Sequence, residues 1–368
     1  MRSTLIAASA LCGLAAAAPR PQEINVAAAE ELPLPTVLGA PLAATNTPAV
    51  TYDPTAAASS AAAAVSTAPA DPSSRRRAMK KRDACQQQPG GFGPVPGDGS
   101  VEAYLAEDSI LASAAQGAST PSGYINAFTD LQGSTQQIGY LTYKTIDSGD
   151  YDVKSCADFC DSEKYCLGFN IYYERDPSVE PADSCANPDP ITNVKCALYG
   201  YPVASGSATN YGQWRNDFHV VIAGSNGYYK LPTTEPTLPS FNAPEALTAA
   251  IDALNEANSY NGMHMSNDGP FDPAVCAAYC LAQTEFDHEH LVDENGNYRP
   301  CNFFNAYILT KNDVPQGTYC SFYTQPWDAS YAVNTGYSSG ADTYKVEASF
   351  SYTLTTQDDG TVAQGDSQ

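Results

Sequence analysis

Hydrophobic and aromatic positions in the middle of the chain alternate between strand-like and helix-like patterns. Residues 140–146 and 218–223 are rich in aromatic and β-branched side chains, which is typical of strands. Between them, Asp152 stands where a helix N-cap is expected, and Cys156 and Cys160 are four residues apart, so a helix would place both on one face. The pattern predicts an α+β unit with one helix on a mainly antiparallel sheet.

The same arrangement occurs a second time further along the chain. Each copy contains an aromatic-Asp pair before two cysteines in C-x3-C spacing, then a cysteine before Phe-Asn-x-Tyr, and finally Cys-x-[Leu/Phe]-Tyr. The last two blocks predict strands, so we expect their tyrosines, Tyr172, Tyr199, Tyr307 and Tyr323, in the core. Three blocks in one order indicate a tandem duplication. The paired blocks are residues 151–160 and 271–280, 166–172 and 301–307, and 196–199 and 320–323.

The first 82 residues differ from the rest of the chain. Residues 1–18 combine a basic start, an apolar run and small residues, which predicts a signal peptide too short for a membrane span. Residues 19–82 are mostly Ala, Pro, Ser and Thr, so we expect a disordered pro-segment. It ends at Lys81-Arg82, a dibasic site that predicts processing after Arg82. A solvated basic linker is the alternative; a nuclear signal is disfavoured because the signal peptide directs export.

Composition and repeats divide the remainder of the chain into five regions. Residues 83–134 form an N-terminal extension with helical spacing at 98–115 and a possible strand at 124–131. The two modules are expected at 135–225 and 258–355. Residues 226–257 between them are proline-rich, which favours a stiff, extended linker. Residues 356–368 are a polar tail.

Charge and cysteine usage narrow the class of protein. The chain has 18 basic and 41 acidic residues, a net charge of −23, and such a surface disfavours binding to nucleic acids and to anionic membranes. Ten of the 11 cysteines lie after the signal peptide. An even number of cysteines in an exported chain predicts disulfides rather than metal or redox sites.

The cysteine pattern resembles that of the PAN/apple domain family. In that family a helix carrying C-x3-C is held in an antiparallel sheet by two core disulfides. The order of the whole chain also resembles secreted ascomycete proteins of unassigned function. Two features depart from the pattern: 20 residues separate Cys280 from Cys301 where 5 separate Cys160 from Cys166, and the first copy has an additional cysteine, Cys185.

The resemblance implies a disulfide pairing for each module. The implied pairs use eight of the ten cysteines after the signal peptide, so we expect the remaining two, Cys85 and Cys185, to pair with each other. The pairs implied within the modules are Cys156 with Cys196, Cys160 with Cys166, Cys276 with Cys320, and Cys280 with Cys301.

Two motifs have catalytic or metal-binding character, and each also has a purely structural interpretation. Residues 336–340 fit G-x-S-x-G, but the last histidine is His290, so the chain order of an α/β-hydrolase fails and a Ser/Gly-rich turn is favoured. His288 and His290 would share one side of a strand and could contribute to a zinc or copper site; the alternative is an exposed loop. Four-ligand closure is not visible, so we assign no metal and expect no cofactor.

Tyrosine is the most unusual feature of the composition, with 24 in the chain. Tyrosines outside the repeated blocks, such as Tyr211, Tyr331 and Tyr337, are candidates for a binding surface. The PAN/apple resemblance implies protein or carbohydrate contacts. We therefore expect a secreted, non-catalytic binding or adhesion protein for extracellular or cell-wall carbohydrate or protein. The alternatives are a structural surface protein without a specific ligand and, less favoured, a metal-dependent enzyme.

Overall fold

The computed structural model describes residues 24–66, 84–254 and 257–362 of the 368-residue chain. It has the expected α+β class, with two antiparallel sheets that each carry one cysteine-bearing helix. The predicted signal peptide at 1–18 and the predicted processing site at Lys81-Arg82 lie outside the described residues.

The first module is built on a six-stranded sheet in the order β1-β6-β3-β4-β2, with β5 paired to β6. Its helix, α5 (Val153–Ser162), begins as predicted at Asp152, whose side chain accepts a hydrogen bond from the Ser155 N–H. The strands predicted at 140–146 and 218–223 are both present. The strands are β1 (Ile125–Leu131), β2 (Tyr140–Thr145), β3 (Gly168–Pro177), β4 (Pro190–Tyr199), β5 (Gly212–Arg215) and β6 (Phe218–Tyr229).

The second module repeats this topology. Its six-stranded sheet has the order β13-β14-β10-β11-β9, with β7 paired to β14, so each strand has a counterpart in the first module. Its helix is α6 (Pro273–His290), capped by Asp272. The strands are β7 (Glu245–Leu247), β8 (Ala250–Ile251), β9 (Tyr260–Ser266), β10 (Phe303–Lys311), β11 (Val314–Tyr323), β12 (Ala332–Asn334), β13 (Gly336–Ser339) and β14 (Asp342–Thr353), of which β8 and β12 form a separate small sheet.

Disulfides join each helix to its sheet. The C-x3-C cysteines lie on the buried face of the helix, and their partners lie on or just before the central strands. The five disulfides of the structure are the five expected pairs: Cys156–Cys196, Cys160–Cys166, Cys276–Cys320, Cys280–Cys301 and Cys85–Cys185.

The asparagine of Phe-Asn-x-Tyr has the same structural role in both modules. The Asn170 amide nitrogen donates to the Asn226 carbonyl and the Ser225 hydroxyl, both at 2.9 Å, and its oxygen accepts from the Thr135 N–H at 2.8 Å. A fully buried amide must satisfy its hydrogen-bonding groups inside the protein, and here it joins the neighbouring strand to a passing segment. The corresponding partners of Asn305 are Phe350, Ser349 and Ile251.

Residues 24–66 correct the expectation of a disordered pro-segment. They contain α1 (Val26–Glu31) and α2 (Pro54–Ser66) and cross both modules; we call them the strap. Composition alone indicated disorder because the strap cannot form a core by itself. Its small apolar side chains are instead buried against the modules, where the sheets supply the missing apolar surface. The buried strap residues are Ile24, Ala29, Ala40, Ala43 and Ala61.

Each six-stranded sheet is covered on both faces. The helix side holds the disulfides, and the opposite side is covered in part by the strap. Residues near Ala40 pack on the first sheet, α1 packs on the second, and α2 packs against α6.

The segments outside the repeated blocks also differ from expectation. Strand β6 continues to Tyr229, past the expected end of the first module, and the described residues of the expected linker at 226–257 do not form a free linker. Leu238 and Phe241 are buried in the core of the second module, and the Tyr352 hydroxyl donates to the Pro236 carbonyl at 3.2 Å. Proline content did not predict the contacts that hold this segment to the second module.

The N-terminal extension contains two short helices, although the spacing at 98–115 suggested a single helical pattern. These are α3 (Val101–Leu105) and α4 (Ile110–Gln116). Ser100 and Ser109 accept hydrogen bonds from backbone N–H groups three residues later, so each serine starts a new helix. The predicted strand at 124–131 is β1, which lies at the edge of the first sheet.

Candidate binding site

Two of the three candidate tyrosines lie on equivalent hairpins of the two modules. Tyr211 directly precedes β5 and has an exposed fraction of 65%, whereas Tyr337 lies on β13 with an exposed fraction of 47%. Strand β5 pairs with the start of β6 as β13 pairs with the start of β14. The duplication therefore places an exposed aromatic side chain on the same edge of each module.

An Asn-x-Gly sequence fixes the geometry of both hairpins. The side-chain oxygens of Asn210 and Asn334 accept hydrogen bonds from the N–H of the glycine two residues later. Gly212 has φ +101° and Gly336 has φ +142°, and a Cβ on either would lie about 2 Å from a carbonyl oxygen of the partner strand. Only glycine fits at these positions.

Sequence reasoning missed Trp214, the most exposed aromatic side chain of the first hairpin. It is 66% exposed, and its indole ring stacks on the His219 ring at 4.3 Å with an interplanar angle of 7°. The chain's other tryptophan, Trp327, is 8% exposed. The sequence contains one signal for Trp214. It follows Gly212 of the Asn-x-Gly turn by two residues, and this spacing places it on the short edge strand that begins at the turn.

Tyr331 does not join the hairpin residues. It lies in a short 3-10 turn, half-buried, with its ring packed edge-on against Trp327 at 4.6 Å. This tyrosine belongs to a small core cluster of the second module.

The tyrosines of the repeated blocks are structural, as expected. The side chains of Tyr172, Tyr199, Tyr307 and Tyr323 are almost completely buried. The Tyr199 hydroxyl donates to the Thr135 carbonyl at 2.6 Å. Much of the tyrosine content therefore serves the interior of the two sheets.

His288 and His290 lie in the last turn of α6, which corrects both sequence interpretations, strand and loop. Two residues along a helix are about 200° apart around its axis, so the rings point in different directions. His288 packs against Tyr298 and His290 against Phe286. No group of three His, Cys, Asp or Glu residues suited to a metal ion occurs within 24–66, 84–254 and 257–362.

The G-x-S-x-G sequence at 336–340 lies on β13 and in the turn to β14. A nucleophile elbow needs a strand followed by a helix, and this segment joins two antiparallel strands. The structure agrees with the favoured interpretation of a Ser/Gly-rich turn.

A buried charge cluster lies on the first sheet, on the face opposite α5. The Lys195 ammonium is 2.6 Å from the Glu174 carboxylate, and neither side chain has any exposed surface. Asp176 follows two residues later on the same face, where the Asn193 amide donates to it at 2.7 Å. Burial and then the charge of Glu174 raise the pKa of Asp176 well above its ordinary value of 3.8. The sequence alone could not single out Glu174 and Asp176 among the chain's many carboxylates.

The strap closes this cluster from the outside. The Ala43 N–H donates to the Glu174 carboxylate at 2.6 Å, and the Lys195 ammonium donates to the Pro41 carbonyl at 2.8 Å. Ala40 is buried against the same face, and Leu42 packs beside it. The main chain of the strap thus supplies one donor and one acceptor to the ion pair.

The second module carries apolar and aromatic residues at the equivalent positions. Counting from the shared asparagine and cysteine anchors, Leu309 corresponds to Glu174 and Tyr319 to Lys195. Both are buried. The strap again contacts this face, because the Asn25 N–H donates to the Tyr319 hydroxyl at 2.9 Å.

Comparisons of the chain with protein-family models, with curated proteins and with solved structures found no match. The described residues include no helix that is both long and apolar enough to cross a membrane.

Proposed function

We propose that this chain is a secreted, non-catalytic binding protein, related to the PAN/apple domains, that contacts extracellular or cell-wall carbohydrate or protein. The observation that carries the proposal is the exposed aromatic side chain on the same hairpin of each module, Trp214 with Tyr211 in the first and Tyr337 in the second. Five disulfides suit an oxidising compartment.

The hairpin geometry favours carbohydrate as the ligand. A flat aromatic face open to solvent can stack on the apolar face of a sugar ring while polar groups around it meet the hydroxyls. Stacking on His219 holds the Trp214 ring in one orientation, which lowers the entropy lost on binding. Two modules in one chain would add avidity on a repeating polymer.

Binding to insoluble fungal-type wall polysaccharides, β-glucan and chitin, tests the proposal. We expect Trp214→Ala and Tyr337→Ala each to weaken retention at least about fivefold, because each removes a stacking surface worth about 1 kcal/mol. Phe92→Ala is the matched control, since Phe92 is 58% exposed and lies on neither hairpin. Equal retention of all three variants and the wild type would contradict a role for the hairpins.

A further inference from the structure

We propose that Glu174, Asp176 and Lys195 form a binding site for a polypeptide segment, and that the strap occupies this site until the chain is cut after Arg82. The proposal goes beyond the function given above, because it concerns another face of the first module and another class of ligand.

First, the fold does not need these charges. The second module has the same topology and buries Leu309 and Tyr319 where the first buries Glu174 and Lys195. A buried ion pair generally adds little net stability over apolar residues of similar volume. The pair therefore calls for a role other than folding, and ligand contact is the role that the strap already demonstrates.

Second, the present occupant contacts the site through its main chain and through small side chains. The strap meets the ion pair through main-chain groups two residues apart, the Pro41 carbonyl and the Ala43 N–H. Small side chains such as Ala40 lie against the sheet. A polypeptide with small residues around a proline, in the same backbone conformation, would reproduce all of these contacts.

Third, the strap is not an optimal occupant. Ala43 has φ +52°, a left-handed conformation that costs a residue with a Cβ and that glycine adopts freely. A segment with glycine at this position is expected to bind about tenfold more tightly. The strap thus occupies the site in a form that a better ligand can displace.

Fourth, cutting the chain can release the strap. Residues 19–82 contain no cysteine, and the five disulfides among the described residues all join cysteines from Cys85 onward. A cut after Arg82 would leave the strap held by non-covalent contacts alone. A cleft of about 450 Å³ is lined by strap residues, among them Leu34, and by residues of both modules, among them Ile138 and Val314.

The test compares the folded full chain before and after cutting by an endoprotease specific for paired basic residues, with the released fragment removed by size exclusion. The probe is a fluorescent peptide with the sequence of residues 38–48. We expect the cut protein to bind it and the uncut chain to bind at least tenfold more weakly. The peptide carrying Ala43→Gly should bind the cut protein about tenfold more tightly than the native peptide.

Two variants separate this site from the rest of the molecule. Glu174→Leu combined with Lys195→Tyr installs the residues of the second module and should abolish peptide binding while the cut protein stays folded by circular dichroism. Lys311→Met, which removes an ion pair between the strap's Glu30 and the second module, should leave peptide affinity unchanged.

Several results would overturn the proposal. These are equal peptide binding by the cut and uncut chains, unchanged affinity in the folded double variant, and a fragment that stays bound after cutting. Polysaccharide binding that requires Lys195, without peptide binding, would also reject the assigned ligand. If Trp214→Ala lost polysaccharide retention while the cut protein still bound the peptide, the two sites would be separate and the peptide site would stand.

Discussion

At the scale of single residues, the buried charges of Glu174 and Lys195 are expected to be replaceable together but not singly. Removing one partner leaves an uncompensated charge in an interior from which water is excluded. Lys195→Met is therefore expected to lower the free energy of unfolding of the uncut chain by about 3–5 kcal/mol. The effect is measured by urea denaturation.

The double variant that removes both charges is the control for this prediction. Glu174→Leu with Lys195→Tyr should lose less than half as much stability as Lys195→Met, because no charge is left unpaired and the pair already packs in the second module. Equal losses in the single and double variants would show that packing rather than charge dominates at this position.

At the scale of elements, the equivalent strands β6 and β14 each contain a bulge. The residue with a left-handed backbone conformation in the bulge differs between the two modules. Gly224 in β6 has φ +55° and Ala348 in β14 has φ +49°, and a serine follows each. Alanine in this conformation is strained, so Ala348→Gly should raise the free energy of unfolding by about 1 kcal/mol. Denaturation midpoints of the variant and the wild type provide the measurement.

The reverse substitution supplies the opposite expectation. Gly224→Ala should destabilise, because a Cβ there would lie 3.0 Å from both the Leu111 carbonyl oxygen and the Tyr173 ring. If Ala348→Gly had no effect while Gly224→Ala destabilised, crowding rather than backbone conformation would be the cause.

Elements with a local signature were predictable from the sequence. Asp152 and Asp272 cap their helices, and the Phe-Asn-x-Tyr blocks form central strands, because capping and β-propensity act over a few residues. The length of α6 was not predictable. Its 18 residues, against 10 in α5, absorb part of the insertion before Cys301, and this places His288 and His290 on a helix.

The buried site at Glu174 and Lys195 depends on contacts between residues far apart in the chain, and the sequence alone does not show these contacts. Ala43 and Glu174 are 131 residues apart, and only the folded sheet brings them together. Composition indicates that residues 24–66 have too little apolar surface to form a core of their own, but it carries no information about a surface elsewhere in the chain. Tyr211 and Tyr337 were nominated for a different reason: tyrosines outside a repeated core block stand out in a duplicated sequence, and their role in binding stays a prediction.

At the scale of the whole molecule, the strap, the linker and α6 meet around Asp272. The Tyr52 hydroxyl donates to the Asp272 carboxylate at 2.7 Å, and Glu235 of the linker lies nearby. Burial, followed by the negative charge of Asp272, raises the pKa of Glu235 from 4.5 to about 7.

This shift predicts a pH dependence of stability. A carboxyl group with a raised pKa binds more protons in the folded state than in the unfolded state, so its contribution to stability falls as pH rises from about 4.5 to about 7. Glu235→Gln removes that contribution. The melting temperature of the variant relative to the wild type should therefore increase across this pH range, and a constant difference would contradict the prediction.

Because the strap contains no cysteine, a cut after Arg82 would leave it free to dissociate. Its concentration would then decide how much of it stays bound. While tethered, a segment faces its site at an effective concentration on the order of millimolar. Once severed, the strap would be present only at the concentration of the protein itself, which, for a protein secreted as proposed above, falls as it diffuses from the cell. The distance travelled from the point of export would then determine when the covered face of the first module becomes available.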